Sequence, residues 1–146
     1  MSRDAMEHMR DIVWAMDSRK DKFENLVDHM RAFAEKNLAL KNITHEFTIV
    51  DIDTKKFIDP EKRQAIYLIF KEAITNIIKH SDGKHVRILF TEEKNKYRLS
   101  VHDNGSKQTL SNSDGLGMSN MKMRAEKIGG TLTTRYDTGF VLELNL

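Results

Sequence analysis

Apolar positions along the chain recur at helical spacing in some stretches and alternate in others, and the two patterns take turns. Met6, Met9, Val13 and Met16, with Ile12 beside them, predict a helix over 2–16. The polar run DSRKD (17–21) interrupts it and offers Asp17 or Ser18 as an N-cap for the next helix. Phe23, Leu26, Val27, Met30, Phe33 and Ala34 form the stripe of that second helix, about 20–40. HEFTIVDID (45–53) alternates as a strand, with Phe47, Ile49 and polar Asp51 on one face. Asp59-Pro60 reads as an N-cap followed by the first helical position of a helix running to His80, where SDGK ends it. HVRILF (85–90) and YRLSVHD (97–103) are antiparallel partners across the turn EKNK, with Val86, Ile88, Phe90, Leu99 and Val101 inward. A glycine-punctuated polar loop spans 104–117. MSNMKMRAEKI is a helix stopped by Gly129-Gly130, and 131–146 closes as a hairpin with Phe140, Leu142, Leu144 and Leu146 toward the core.

Strands in antiparallel pairs with separate helices predict an α+β fold, a two-layer α/β sandwich. Its mixed, mostly antiparallel sheet would be covered on one face by about three helices. Residues 1–17 would form a preceding helix and 18–146 the domain itself.

Composition narrows the function. The 146 residues carry a formal net charge of +2 with acids and bases mixed, so no single-signed block points to nucleic acid or a membrane surface. There is no cysteine, which excludes disulfides, thiolate metal sites and cysteine nucleophiles. No apolar run is long enough to span a bilayer, and the charged N-terminus is not a signal peptide. His45, His85 and His102 lack metal-ligand spacing, and His8 and His29 read as helix-surface residues.

The helix ending FKEAITNIIKH carries the candidate chemistry. At about 100° per residue, Glu72, Asn76, Lys79 and His80 share one strip beside the buried stripe of Ile66, Ile69, Phe70, Ala73 and Ile77. Such a strip is either the wet side of an amphipathic helix or a site. As a site it holds an amide oxygen suited to Mg²⁺ at Asn76 and possible phosphate-neutralising cations at Lys79 and His80. Glu72 supplies a carboxylate able to orient or deprotonate a nucleophile. Downstream, VHDNG puts Asp103 at a strand end, able to accept a hydrogen bond from an exocyclic amine, with Gly105 allowing a flat ring close to the backbone. An ordinary Asn-Gly turn is the alternative. DGLGMSNM puts Gly115 and Gly117 immediately before a helix, a natural phosphate cradle or a merely flexible loop.

In this order, FKEAITNIIKH, DNG and GLGMSNMKMRAEKIGG resemble the N-box and the two glycine boxes of the C-terminal ATP-binding domain of bacterial sensor histidine kinases, in the superfamily of gyrase, Hsp90 and MutL. DIVWAMD near the N-terminus is similar to the nitrate-sensor and DesK-like subfamily. The resemblance implies a catalytic domain that binds ATP and Mg²⁺, with Asn76 on the metal, Glu72 activating an acceptor histidine, and Lys79 and His80 at phosphates or ribose. Asp103 would recognise the adenine amine and Gly105 border the ring. Residues 106–114 would form a lid, and Gly115 and Gly117, with Leu116 and Met118, would wrap the phosphates. The γ-phosphate would pass to a histidine on a dimerisation domain outside this chain and then to a response regulator. Residues 1–17 would end the dimerisation helix, allowing a homodimer through it, in a cytoplasmic portion of a larger sensor. Two positions depart from the family pattern: Lys107 replaces a lid glycine, and Gly139-Phe140 replaces Gly-Thr, removing a hydroxyl near the nucleotide. A serine kinase of the anti-sigma-factor type and a non-catalytic interaction module share the fold.

Overall fold

A computed structural model describes residues 2–106 and 115–146. In chain order it contains α1 (Arg3–Met16), a 3₁₀ turn (Ser18–Lys20), α2 (Phe23–Ala39), β1 (Thr44–Val50), α3 (Pro60–His80), β2 (His85–Glu93), β3 (Lys96–Asp103), α4 (Gly115–Lys127), β4 (Thr131–Tyr136) and β5 (Phe140–Asn145). The strands form one sheet in the order β1-β2-β3-β5-β4. β1 and β2 are parallel, joined by the α3 crossover, and every other pair is antiparallel. This is the expected two-layer sandwich. Val86, Ile88, Phe90, Leu99, Val101, Leu142 and Leu144 pack from the sheet against Leu26, Met30, Ile66, Phe70, Ile74 and Met121 of α2, α3 and α4. Each fully buried side chain of this size contributes about 1.5–3 kcal/mol. The opposite face is polar: Arg87, Arg98, Thr133 and Arg135 are exposed, and Glu143 bridges Arg98 and Arg135.

The local chemistry explains most element ends. Lys94 and Asn95 both take positive φ (52° and 64°), as a two-residue turn matched to strand twist requires. Gly129 (φ +80°) ends α4 in a Schellman arrangement: its N–H donates to Glu126 O at 3.0 Å, and that of Gly130 donates to Ala125 O at 2.8 Å. Asp59 and Pro60 take the N-cap and first helical positions of α3 as expected, Asp59 without a side-chain capping bond. Two expectations are corrected. Asp17 caps only the short 3₁₀ turn, through Arg19 N, and α2 starts at Phe23 after Lys22. Gly115 and Gly117 lie inside the first turn of α4 rather than before it.

α1 docks through a polar and aromatic face, while its apolar stripe faces out: Met6, Met9, Ile12 and Val13 are exposed. On the docked face Asp11 pairs with Lys71 Nζ at 2.6 Å. Trp14 stacks on His29 at 4.2 Å and lies tilted against Tyr67 at 5.3 Å. His29 is therefore a half-buried packing residue and not the surface residue its helix position suggested. Arg63, fully buried at the start of α3, donates to the carbonyls of Trp14 (3.2 Å), Asp17 (3.1 Å) and Lys20, which gathers the C-terminal end of α1 and the linker onto the domain. A cation among these carbonyl ends is favoured by their partial negative charge.

Burial pushes the His29 imidazole below its ordinary pKa, against the opposing pull of Asp11, whose Oδ1 stands 3.5 Å from Nε2. Lys71 and Lys20 act in the same direction as burial, and the Trp14 and Tyr67 rings complete the surroundings. A lowered pKa makes the unfolded chain bind the proton first as pH falls, so this contribution to stability is complete above the unfolded value. It is lost progressively below about pH 6.5. Thermal melts across that range should show the loss, and His29→Phe should remove part of the slope. An identical slope in wild type and variant would contradict the assignment.

Candidate functional site

The long helix α3 joins the two ends of the site. Its strip from Glu72 to His80 runs from part-buried Glu72 and Asn76 to exposed Lys79 and His80. Glu72, Lys79 and Gly117 line one cavity of about 500 Å³, with Lys71, Asn120 and Arg124 around them and Glu7 and His8 of α1 at another wall. A Cβ at Gly117 would lie 2.8 Å from Glu72 Oε1, the end of a side chain that would have to shift aside. The first turn of α4 thus rests against the Glu72 carboxylate. Free N–H groups at such a turn favour negative charge. Asn76 is one turn along α3 from Glu72, so the two share a helix face. Met118 is partly buried against the core. Gly115 and Leu116 sit in the same opening turn of α4.

The second end forms where β3 stops. Asp103 is 2% exposed, and its Oδ1 accepts from the N–H groups of Gly105 (2.8 Å) and Phe140 (3.1 Å). Those two donors fix the carboxylate at the end of the strand, on the helix-facing side of the sheet. Gly105 closes against the turn after α3: a Cβ there would meet Ser81 Oγ at 2.5 Å and Asp82 Oδ1 at 2.9 Å. Asn104, which the sequence offered only as a turn residue, accepts at Oδ1 from Lys84 N (2.8 Å) and His85 N (3.0 Å). Asp82 accepts from the Ser106 hydroxyl and from its N–H (2.7 Å). Those bonds, the side-chain one first, hold the Asp82 carboxyl below the usual carboxylate range. The segment leaving β3 is therefore pinned to the turn leaving α3. The expected lid lies outside the described residues beyond Ser106, and Lys107 with it.

Sequence patterns located Glu72, Asn76, Asp103 and the glycines. They missed Asp82, Asn104 and Tyr136, whose OH donates to Gly105 O at 2.9 Å. These act through long-range bonds that no local spacing encodes. Among the described residues no group of three or more His, Asp or Glu is arranged to hold a metal. A hard divalent cation here would take its ligands mainly from phosphate and water, with Asn76 as the kind of single neutral oxygen donor it accepts.

Residues 61–146 match the family described as histidine kinase-, DNA gyrase B- and HSP90-like ATPase. The chain belongs to that family. Among curated relatives it is 38% identical over 89 residues to the sensor histidine kinase YxjM of Bacillus subtilis, covering 60% of this chain and 22% of that protein. It is 29% identical to the sensor histidine kinase YvfT of Bacillus subtilis over 147 residues, covering 99% of this chain and 37% of that protein. The chain therefore spans well under half of these relatives. Among solved structures, the nucleotide-free catalytic domain of histidine kinase ThkA superposes with a TM-score of 0.68 at 20% identity, covering 86% of this chain and 92% of that one. Acinetobacter baumannii histidine kinase AdeS gives 0.68 at 16% identity, covering 97% and 75%. Both likenesses establish the fold. No helix among the described residues is long and apolar enough to cross a membrane.

Proposed function

We propose that residues 18–146 are the ATP-binding catalytic domain of a sensor histidine kinase and that residues 1–17 end its dimerisation or linker helix. The observation that carries this reading is the buried Asp103 carboxylate, which accepts from the backbone N–H groups of Gly105 and Phe140 at the end of β3. A carboxylate so placed reads an exocyclic amine and rejects a carbonyl. Asn76 would hold Mg²⁺, which would supply neutralisation of developing phosphate charge, while Lys79, His80 and the α4 turn with Gly115, Leu116, Gly117 and Met118 hold the phosphates. Gly105 borders the adenine ring. In transfer, the bond from Pγ to the ADP oxygen breaks as a bond forms from Pγ to a histidine nitrogen, and Glu72 takes the N–H proton. The acceptor belongs to the dimerisation domain, and the phosphoryl group then passes to an aspartate of a response regulator. The exposed Met6, Met9, Ile12 and Val13 face of α1 is where a second copy of the helix packs. The domain works on the cytoplasmic side of its membrane or in the cytosol.

The test uses the full-length protein with labelled ATP. Glu72→Gln should retain ATP affinity and lose transfer to histidine by about 100-fold or more. Equal transfer by wild type and variant would remove Glu72 from the chemistry. Acid-stable label, as on serine, would replace the histidine kinase reading with the serine kinase one.

A further inference from the structure

The two ends of the candidate site belong to different elements. Asn76, Lys79 and His80 stand on the last turns of α3, and Asp103 and Gly105 stand where β3 stops. Neither element alone fixes the gap between them. The turn 81–84 and the loop 104–106 meet across that gap. Ser81 N donates to Ile77 O at 2.9 Å, so the turn leaves directly from the helix end. The Ser81 hydroxyl accepts from Gly83 N at 2.9 Å, which closes the turn on itself. Gly83 is buried, and a Cβ there would stand 2.8 Å from both Asn104 Oδ1 and Gly105 N. The two segments are therefore in close contact, and Asp82 reaches over to the far one. Its Oδ1 accepts from Ser106 N at 2.7 Å, and its other oxygen accepts from the Ser106 hydroxyl.

We propose that Asp82 is a positioning residue of the nucleotide site: by holding Ser106 it sets the spacing between the phosphate end on α3 and the base end at Asp103. This rests on the nucleotide reading given above. Asp82 is exposed, so its side chain weighs little on the stability of the domain. Its effect is on geometry. A carboxylate makes strong hydrogen bonds, and two of them fix Ser106 in both distance and orientation. Ser106 carries with it Gly105, whose N–H holds Asp103 Oδ1 at 2.8 Å. On the other side Asp82 follows closely on His80, so the same carboxylate is tied to the phosphate-binding stretch of α3. A nucleotide gripped at both ends behaves as two linked ligands. Each end raises the effective concentration of the other, and that gain falls away when the spacing is wrong. A bare negative charge near an anionic ligand does the reverse and repels it. Positioning and repulsion therefore predict opposite signs when the carboxylate is removed.

Calorimetric titration with ATP and Mg²⁺, beside thermal melts, of wild type, Asp82→Ala and Asp82→Asn tests this. Asp82→Ala removes both bonds and should weaken ATP binding by about fivefold or more. It should melt within about 2 °C of wild type. Asp82→Asn keeps an oxygen for Ser106 N and offers an NH₂ to the Ser106 hydroxyl, so its ATP affinity should return to within about twofold of wild type. Unchanged ATP affinity in Asp82→Ala would overturn the assignment while leaving the nucleotide site standing, and tighter binding would replace positioning with repulsion. Equal losses in the two variants would overturn it too, because the restored bonds would then count for nothing. A loss in Asp82→Ala that comes with a melting temperature lower by about 5 °C or more would also overturn it, by making Asp82 a residue of the fold at large. Wild type that binds no ATP would bring down the nucleotide reading and this inference together.

Discussion

Asp103→Asn should lose ATP affinity by at least about 100-fold while the domain stays folded. The substitution is nearly isosteric, and Asn Oδ1 can still accept from the N–H groups of Gly105 and Phe140 that now hold the carboxylate. The core neighbours Val86 and Val101 keep their packing. What changes is the second terminal atom. A carboxylate oxygen becomes an NH₂, and a donor then faces the donor of an adenine amine. Two buried donors facing each other leave both unpaired, which costs more than a missing bond. The same variant should bind an inosine nucleotide better than wild type does, because that base presents a carbonyl where adenine presents its amine. Calorimetry with both nucleotides, beside a thermal melt, checks this. Unchanged ATP affinity in a folded Asp103→Asn protein would take Asp103 out of base recognition.

Gly139→Ala is the second large effect, and it acts on the fold and the site together. Gly139 sits at φ +127°, a conformation essentially reserved for glycine. A Cβ there would overlap the Asp103 backbone carbonyl and crowd Asn104 Cα. Neither obstacle is a flexible side-chain end, so β5 has to move away from β3, and the Phe140 N–H leaves Asp103 with it. Strain and lost pairing together should cost about 3 kcal/mol or more. For a domain of this size the melting temperature should fall by roughly 10 °C. ATP affinity should fall as well, even below the melting transition. A variant that melts within about 2 °C of wild type would contradict the geometry of this hairpin.

The two periodicities made most of the fold readable. The spacing of apolar residues in α2 and α3, the alternation in β2, β3 and β5, and the Gly129-Gly130 stop each correspond to an observed element. The less readable features are those that distant residues decide. Nothing local marks Arg63, placed early in an amphipathic helix, as a fully buried ligand of three carbonyls over forty residues away in sequence. The docking of α1 by Asp11, Trp14 and Lys71 is similar. Helical spacing marked the methionine stripe but not the face of α1 that docks, and the structure turns that stripe outward because a paired charge and a stacked indole hold the other side. At the candidate site, Glu72, Asn76 and Asp103 were legible because each sits where an element places a polar group beside an apolar one. That Phe140 stands across from Asp103 and donates its N–H to the carboxylate became visible only with the strand register, which a sequence of alternating residues leaves open by two-residue steps.

The most direct test of the central claim, a Mg²⁺-dependent ATP site built on α3 and the end of β3, is calorimetric titration of this chain with a non-hydrolysable ATP analogue, with and without Mg²⁺, beside Asn76→Ala. The account predicts saturable one-to-one binding that Mg²⁺ tightens, and a tightening that largely disappears in Asn76→Ala. A folded wild-type chain that shows no saturable binding, or binding indifferent to both Mg²⁺ and Asn76, would contradict it.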